Sequence, residues 1–292
     1  MALIPSNRIF HHVTAKPTSL KKILTEHFKI SNERSSELIT LGAIYSNKRR
    51  LFEDRDLAQG TYLRLHLHPK RFPAVGVDWG SSLIKETADF IVINKPAGIP
   101  THATVDNAIE NCLAQMRKVL RCELFVTQRL DTPVGGVLLF AKNKDYQAKF
   151  NRMLSERSLQ KTYVALVEKP CPLGHHIHWM QPSERSPKVL SAESNPGWLS
   201  CELSVLNCVP KELGENSFFQ IEVDLHTGRT HQIRTQLAFM GCPIIGDKLY
   251  GSGKRFHPNG IALKAKRLRW PPSNLVELQE PFFSRDSKDL LD

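Results

Sequence analysis

Three segments of this 292-residue chain place chemically capable side chains inside otherwise apolar runs. The first holds Arg129 and Asp131 shortly before the apolar run VLLFA. The second holds Lys161 and Tyr163 where another apolar run begins, and the third holds Arg234 within a helical pattern. A charge in such surroundings costs free energy unless a partner or a reaction needs it there. We therefore take these residues as the candidates for chemistry.

Their chemistry follows from the residue types. A half-buried carboxylate without a cation nearby takes up a proton and loses nucleophilicity. An arginine within hydrogen-bonding distance keeps Asp131 ionised, because guanidinium does not lose its proton in proteins. A neighbouring tyrosine offers a ring on which a base can stack and a hydroxyl for proton transfer. An anionic nucleophile, a fixed counterion and an aromatic platform suit chemistry on a nucleobase that has left its stack.

Each of the three central residues also has a structural interpretation. Asp131 is followed by Thr-Pro, a combination typical of turns, and local sequence alone favours that interpretation. Tyr163 fits an ordinary strand tyrosine. Arg234 fits an exposed helical arginine, but its neighbours Ile233 and Leu237 indicate that it faces inward.

The charge of the chain indicates a polyanionic partner. The formal net charge is +11, and residues 1–72 contain 13 Lys and Arg against 6 Asp and Glu. A concentrated basic excess favours nucleic acid over a membrane surface as the partner. A basic surface that serves only solubility explains the charge equally well.

Several classes of protein are disfavoured by what the sequence lacks. No apolar stretch approaches the length of a membrane span, and the start MALIPSNRIFHH lacks the pattern of a secretory signal, so we expect a cytoplasmic protein without membrane contact. The six cysteines are scattered without a CxxC pair, which favours reduced thiols. His175, His176 and His178 lack a carboxylate or cysteine partner at regular spacing, so we predict loop histidines and no metal.

The pattern of elements predicts an α+β protein with two domains. Residues 1–72 predict two short helices, capped by Ser19 and Ser31, and a small sheet. A Pro- and Gly-rich linker at 69–82 leads into a second domain, 73–292, where helices and alternating strands intersperse. We expect a central mixed, mainly antiparallel sheet flanked by helices in that domain.

The first domain resembles a known RNA-binding module. The stretch ERSSELITLGAIYSNKRRLFEDRDLAQGTYLRLHL is similar to the S-four-type module, named after a ribosomal protein. The resemblance implies that Arg34, Lys48, Arg49 and Arg50 face RNA phosphates.

The second domain resembles the RluA-type pseudouridine synthases over roughly residues 85–272. The similar segments, in the order of that family, are VINKPAGIPTHAT, RLDTPVGGVLLFAKN, QKTYVALV and TGRTHQIRTQLAFMGCPIIGDKLYG. The resemblance implies an isomerase that converts uridine in RNA to pseudouridine without cofactor or metal. Asp131 would attack the base or the anomeric carbon, and Arg234 would pair with Asp131. Tyr163 would stack on the base and help remove the proton at carbon 5, and Arg129 would occupy or support the space that the uridine leaves in the RNA.

The chain departs from the family pattern near Asp131. Gln128 stands where a histidine is common, and Pro133, Val134 and Gly135 replace the usual continuation. Lys264 stands where a later histidine is common. We expect these departures to affect which uridine the protein selects, because the loops near the reactive residues govern that choice in the family.

Two alternatives remain open from the sequence. A catalytically silent RNA-binding or RNA-folding protein on the same scaffold is the first, and a metal-dependent hydrolase using the histidine cluster is the second. For an active enzyme, structured ribosomal RNA is the favoured substrate and transfer RNA stays possible. No obligate protein partner is evident.

Overall fold

A computed structural model describes residues 9–213, 216–257, 259–279 and 282–283. The described residues form two compact units. The first contains the chain up to Val77 together with Pro100–Arg121, and the second contains Asp78–Ile99 together with the chain from Cys122 onward. The predicted division at residue 72 therefore differs from these units at residues 73–77 and 100–121, which we expected in the large domain.

The first unit is built on a small antiparallel sheet, with strand order β1-β6-β3-β4, and a two-stranded pair of β2 with β5. Its elements are β1 Ile9–Val13, β2 Thr18–Ser19, α1 Leu20–Lys22, a π-helical turn Ile23–His27, α2 Asn32–Thr40, β3 Ile44–Ser46, β4 Arg49–Leu51, β5 Asp56–Leu57, β6 Tyr62–His66 and α3 Cys112–Leu120.

The two predicted helices of this unit are confirmed, and so are their caps. The Ser19 hydroxyl accepts a hydrogen bond from the Lys22 amide, and the Ser31 hydroxyl accepts one from the Arg34 amide. Each satisfies an amide that the first turn of a helix would leave without a partner. The prediction missed β1. Its residues alternate between exposed and partly buried, and none of them is fully buried.

Residues 100–121 belong to the first unit because one buried carboxylate is satisfied there. Glu110, 5% exposed, accepts hydrogen bonds from Arg71 Nη2 at 2.6 Å, the Phe72 amide at 2.8 Å and Asn107 Nδ2 at 2.7 Å. Ile109 also packs on the core formed by the two helices and the sheet. A hydrophobic pattern does not reveal such a polar anchor in advance.

The second unit carries one large sheet. Its elements are β7 Leu83–Glu86, β8 Phe90–Lys95, β9 Phe125–Val126, β10 Gly135–Ala141, α4 Lys144–Ser155, β11 Gln160–Val167, β12 Gly174–Met180, β13 Leu190–Ser191, β14 Leu199–Leu213, β15 Asn216–Leu225, α5 Gln232–Phe239, a 3₁₀ turn Lys248–Tyr250, β16 Leu263–Trp270 and β17 Asn274–Glu277.

The sheet is mixed and mainly antiparallel, as expected for the α+β class. Its order is β13-β12-β14-β15-β11-β16-β10-β8-β7, with β9 on β10 and β17 on β16. The pair of β10 with β16 is parallel, and the other described strand pairs of this sheet are antiparallel. Helix α4 packs Tyr146, Phe150 and Met153 against β10 and Trp270. This places β10 and β11, the strands next to the candidate residues, near the centre of the sheet.

The histidine cluster lies on a strand, which corrects the predicted loop. His175, His176 and His178 belong to β12, where alternation turns His175 to the face opposite the other two. His178 is buried, with its Nδ1 2.9 Å from Gln236 Nε2. No three His, Cys, Asp or Glu side chains of the described residues are grouped so that they could hold a metal ion.

The six cysteines are free thiols, four of them buried. No helix among the described residues has the length and apolar character needed to cross a membrane.

Gly136 makes a close parallel strand pair possible. Its φ is +113°, and a Cβ on it would overlap the backbone nitrogen and carbonyl oxygen of Ala265 on β16. We expect Gly136→Ala to lower the free energy of unfolding by about 2–3 kcal/mol, since backbone on both sides prevents easy relaxation. Urea denaturation measures this, with Gly253→Ala as the control because no atom lies within 4 Å of its added Cβ. Equal stability of the two variants would contradict the close pairing.

Candidate active site

Asp131 lies in a tight turn between β9 and β10. The Val134 amide donates to the Asp131 carbonyl at 3.0 Å, and the Gly98 amide donates to the Thr132 carbonyl at 2.8 Å. The Asp131 side chain is 23% exposed, so it is neither in bulk solvent nor enclosed. The turn interpretation of Asp131 is therefore right about the backbone, and the turn leaves the carboxylate partly exposed.

A buried lysine holds this turn from beneath. Lys95, at the end of β8, is 1% exposed, and its ammonium donates to the carbonyls of Pro96 at 3.0 Å, Thr132 at 3.2 Å and Val134 at 2.7 Å. Three carbonyl acceptors compensate for part of the hydration that the ammonium loses. Because two of these carbonyls belong to residues one and three positions after Asp131, Lys95 fixes the backbone from which the carboxylate projects.

Arg234, on α5, joins two carboxylates. Its Nη1 donates to Asp131 Oδ2 at 3.3 Å, while its Nε and Nη2 donate to the two oxygens of Asp247 at 2.6 and 2.9 Å. The Arg234 and Asp247 side chains are only 6% and 1% exposed. The bidentate pair with Asp247 sets the plane of the guanidinium, and its remaining nitrogen then faces Asp131.

His231 is the second side chain that lies near Asp131 Oδ2, after Arg234. Its Nε2 lies 3.8 Å from Asp131 Oδ2, and its Nδ1 lies 2.9 Å from the hydroxyl of Tyr250. That hydroxyl accepts the Lys188 amide at 3.0 Å, which leaves its own hydrogen for His231 Nδ1. When that hydrogen is donated to Nδ1, the proton of the neutral imidazole is on Nε2, 3.8 Å from Asp131 Oδ2. Arg234 and His231 both lie against Oδ2, and neither of these two residues occupies Oδ1.

The imidazole of His231 is held neutral. Burial lowers its pKa, the nearby Arg234 cation also lowers it, and the Asp131 charge opposes this only in part.

Tyr163 lies on β11 and is buried, 8% exposed. It pairs with Val223 on β15 and with Ala265 on β16, so its position is set by two flanking strands. Burial raises the pKa of its hydroxyl, and the charge of Asp131 raises it further. The phenol therefore stays protonated, and the influence of Asp131 places the ring within electrostatic reach of the carboxylate.

The structure thus brings Asp131, Tyr163 and Arg234 together in the second unit. Arg129, two residues before Asp131, is exposed. The sequence reasoning missed Asp247, although the quoted motif around GDKLYG contained it. It also missed His231, whose spacing of three residues from Arg234 on a helical pattern was the available signal.

The four basic residues predicted to bind RNA have different environments in the first unit. Arg34 pairs with Glu37 and donates to the Leu67 carbonyl, and Arg50 donates to the Gly42 carbonyl at 2.8 Å and to the Thr104 carbonyl. Lys48 and Arg49 are exposed on the turn from β3 to β4, and among the described residues no side-chain hydrogen bond or ion pair involves them.

The lowered pKa of His231 predicts a pH effect on stability. Below about pH 6.5 the unfolded chain takes up a proton at this histidine, whereas the folded state resists protonation. Stability must therefore fall as the pH falls through that value. We expect His231→Asn, which tolerates the positive φ of 60° at this position, to lose less stability than wild type between pH 7.5 and 5.5. Thermal unfolding at both pH values measures this. His68→Asn, an exposed control, should behave as wild type, and equal losses in all three proteins would contradict the assignment.

The region that resembles known proteins contains Asp131, Tyr163 and Arg234. The family model described as RNA pseudouridylate synthase matches residues 89–239. Two solved structures share the fold: human RNA pseudouridylate synthase domain containing 1, with a TM-score of 0.58 and 21% identity over 72% of this chain and 90% of that one, and domain containing 4, with a TM-score of 0.56 and 21% identity over 70% and 90%.

Curated relatives agree with the family model. The chain is 30% identical to a chloroplastic RNA pseudouridine synthase 6 of Oryza sativa, over 82% of this chain and 54% of the relative. It is 32% identical to ribosomal large subunit pseudouridine synthase C of Rickettsia bellii, over 70% of each chain. The chain spans about half the length of the plant relatives it matches. On the family model and the Rickettsia relative together, this chain belongs to the RNA pseudouridylate synthase family.

Proposed function

We propose that this protein is an RNA pseudouridine synthase that isomerises uridines in structured RNA, with Asp131 as the nucleophile. The observation that carries the proposal is the Arg234 Nη1 to Asp131 Oδ2 contact of 3.3 Å, together with a buried Tyr163 whose hydroxyl pKa is raised by burial and by the Asp131 charge. A guanidinium locked by Asp247 places a fixed positive charge beside Oδ2 of the carboxylate and leaves Oδ1 for attack on the base or on the anomeric carbon.

The reaction needs no redox partner. The bond from N1 to the anomeric carbon breaks, the uracil turns while it is held, and a bond from C5 to the same carbon forms. The proton lost from C5 is balanced by one gained at N1. Because Tyr163 stays protonated, its role in this scheme is to hold the ring and to donate a hydrogen bond. The carboxylate of Asp131 is able to accept the C5 proton.

The proposal extends to the first unit as an S-four-type RNA-binding module, with ribosomal RNA as the favoured substrate. The order of helix, helix and antiparallel hairpin in that unit supports it, as does its basic composition. Lys48 and Arg49 present charge that no neighbour neutralises among the described residues, so they are the stronger candidates for phosphate contacts. Arg34 and Arg50 would contribute to the field of this surface while holding the unit together.

Isomerase activity is tested directly with RNA from cells that lack the protein. The RNA is incubated with purified protein, treated with a carbodiimide that marks pseudouridine and read by primer extension. A new stop with wild-type protein is expected. The absence of any new stop would contradict the proposal and would favour a catalytically silent RNA-binding protein on the same scaffold.

Binding of that RNA should depend on the exposed turn of the first unit. We expect Lys48→Ala with Arg49→Ala to lower the slope of log affinity against log salt concentration by about 2, since each phosphate contact contributes about 1. Filter binding at several salt concentrations measures the slope. A double variant at two exposed positions of α4, Lys144→Ala with Lys149→Ala, is the control. An unchanged slope in the first variant would remove this turn from the RNA-binding surface.

A further inference from the structure

Lys161 carries a charge that the site described above does not use. It is partly buried on β11, and burial lowers the pKa of its ammonium. Within the described residues no hydrogen bond or ion pair involves this side chain. An ammonium that has lost hydration without gaining a partner is costly, and a protein retains it where an anion completes the site.

Its position ties it to the reactive residues. Lys161 precedes Tyr163 by two residues on β11. The irregularity in the pairing of β11 with β16 at Thr162 and Tyr163 leaves the extra residue, Lys266, on β16, so β11 itself alternates regularly and the two side chains leave the same face of the strand. The ammonium Nζ lies 3.4 Å from the place that a Cβ on Gly228 would occupy. Gly228 stands three residues before His231, in the segment that leads into α5.

A cavity of about 230 Å³ lies at the same end of β11. It is lined by residues 157–161, from the α4–β11 connection and the start of β11, and by residues 224–226, from the end of β15 and the segment after it. The other charged residues at its wall already have partners. Arg157 pairs with Glu202 at 3.3 Å, and Asp224 accepts hydrogen bonds from Thr162 at 2.6 Å and Gln160 at 3.1 Å. Among the described residues, the Lys161 ammonium is therefore the charged group of this wall that has no hydrogen-bond or ion-pair partner.

We propose that Lys161 binds a phosphate of the target nucleotide itself, beside the ring of Tyr163. The inference deepens the proposed function and rests on it for the identity of the ligand. Two residues along a strand span about 7 Å, a separation that a single nucleotide bridges between its base and its phosphate. An ammonium suits a phosphate oxygen as a compact point charge, whereas the edge of uracil offers only neutral acceptors.

The test uses mononucleotides, so that it does not depend on turnover or on knowledge of the target RNA. Uridine, uridine 5′-monophosphate and uridine 3′-monophosphate are titrated into the full-length protein and followed by protein-observed NMR. Wild type should bind one of the two monophosphates about tenfold more tightly than uridine, as expected for one charge-assisted contact. The preferred isomer identifies which phosphate, the 5′ or the 3′, Lys161 holds.

Substitutions at Lys161 decide whether that residue is the cause. Lys161→Met and Lys161→Gln should reduce the preference for phosphate to twofold or less, with uridine binding unchanged, and Lys161→Arg should retain most of it. Lys149→Met, an exposed lysine on α4, should keep the full preference. Thermal unfolding of each variant establishes that the protein tested is folded.

Two results would overturn the inference: a phosphate preference that persists in both neutral variants, or a wild-type protein that does not distinguish either monophosphate from uridine. Neither result bears on isomerase activity, which the primer-extension experiment tests separately. Conversely, a protein that forms no pseudouridine but shows a Lys161-dependent preference would retain the phosphate site and lose the proposed reaction.

Discussion

Asp131→Asn protein will form no measurable pseudouridine in the RNA that the wild-type protein modifies. We expect the single-turnover rate to fall by at least about 10⁴-fold, because an amide cannot replace a carboxylate as the nucleophile. The asparagine oxygen can still accept the hydrogen bond from Arg234 Nη1, so the turn and the fold should be kept. The lower rate would then reflect the missing nucleophile and not unfolding of the protein.

Two measurements accompany this experiment. RNA affinity should change little, which separates a lost nucleophile from lost binding. Glu184→Gln, which removes an exposed carboxylate from the same unit, should retain the wild-type rate. A rate for Asp131→Asn within tenfold of wild type would mean that another group attacks the uridine.

Asp247→Ala will unfold with a free energy about 3–5 kcal/mol lower than wild type. Both oxygens of Asp247 accept from Arg234, and both side chains are almost fully buried, so the substitution leaves a guanidinium with uncompensated charge. The half-exposed Asp131 carboxylate, at 3.3 Å, compensates this only in part. Urea denaturation monitored by fluorescence and by circular dichroism measures the change.

The same substitution should lower activity in protein that is still folded. Without the bidentate pair, the plane of the Arg234 guanidinium is no longer set, and its Nη1 loses alignment with Asp131. Glu184→Ala is the matched control for stability and rate. A loss of less than 1 kcal/mol would show that Arg234 does not depend on Asp247, and the proposed support of the nucleophile would be wrong.

The sequence predicted the reactive trio because each member lies in a segment whose apolar pattern makes a polar residue conspicuous. Asp131, Tyr163 and Arg234 stand in three separate segments, and the similarity of those segments to one family predicted that the fold joins them. The structure places them in one unit, on the β9–β10 turn, on β11 and on α5. Their catalytic roles remain predictions that the experiments above test.

The sequence did not predict three features of the structure, because each depends on polar contacts that the spacing of apolar residues does not reveal. Asp247 follows Arg234 by 13 residues through a loop, and only the fold shows that its carboxylate is the tighter partner of the guanidinium. In the sequence Lys95 is only the last residue of an apolar strand. In the structure its ammonium donates hydrogen bonds to three carbonyls near the Asp131 turn. Residues 100–121 join the first unit because Glu110 and Arg71 meet there.

The altered residues around Asp131 fit the turn without disturbing it. The Pro133 carbonyl accepts the Ile261 amide at 3.1 Å, and the Val134 amide closes the turn on Asp131. Gly135 pairs with Lys264 across the parallel strands β10 and β16. These contacts show how the residues that depart from the family pattern are accommodated in the turn that carries Asp131.

The most direct test of Asp131 as the nucleophile is a transcriptome-wide pseudouridine map at single-nucleotide resolution. Cells that lack the protein are compared with the same cells supplied with wild type or with Asp131→Asn at equal abundance. Pseudouridine at one or more defined positions should be absent without the protein, restored by wild type and absent again with Asp131→Asn. Restoration by the asparagine variant, or a map identical in all strains, would contradict the role of Asp131.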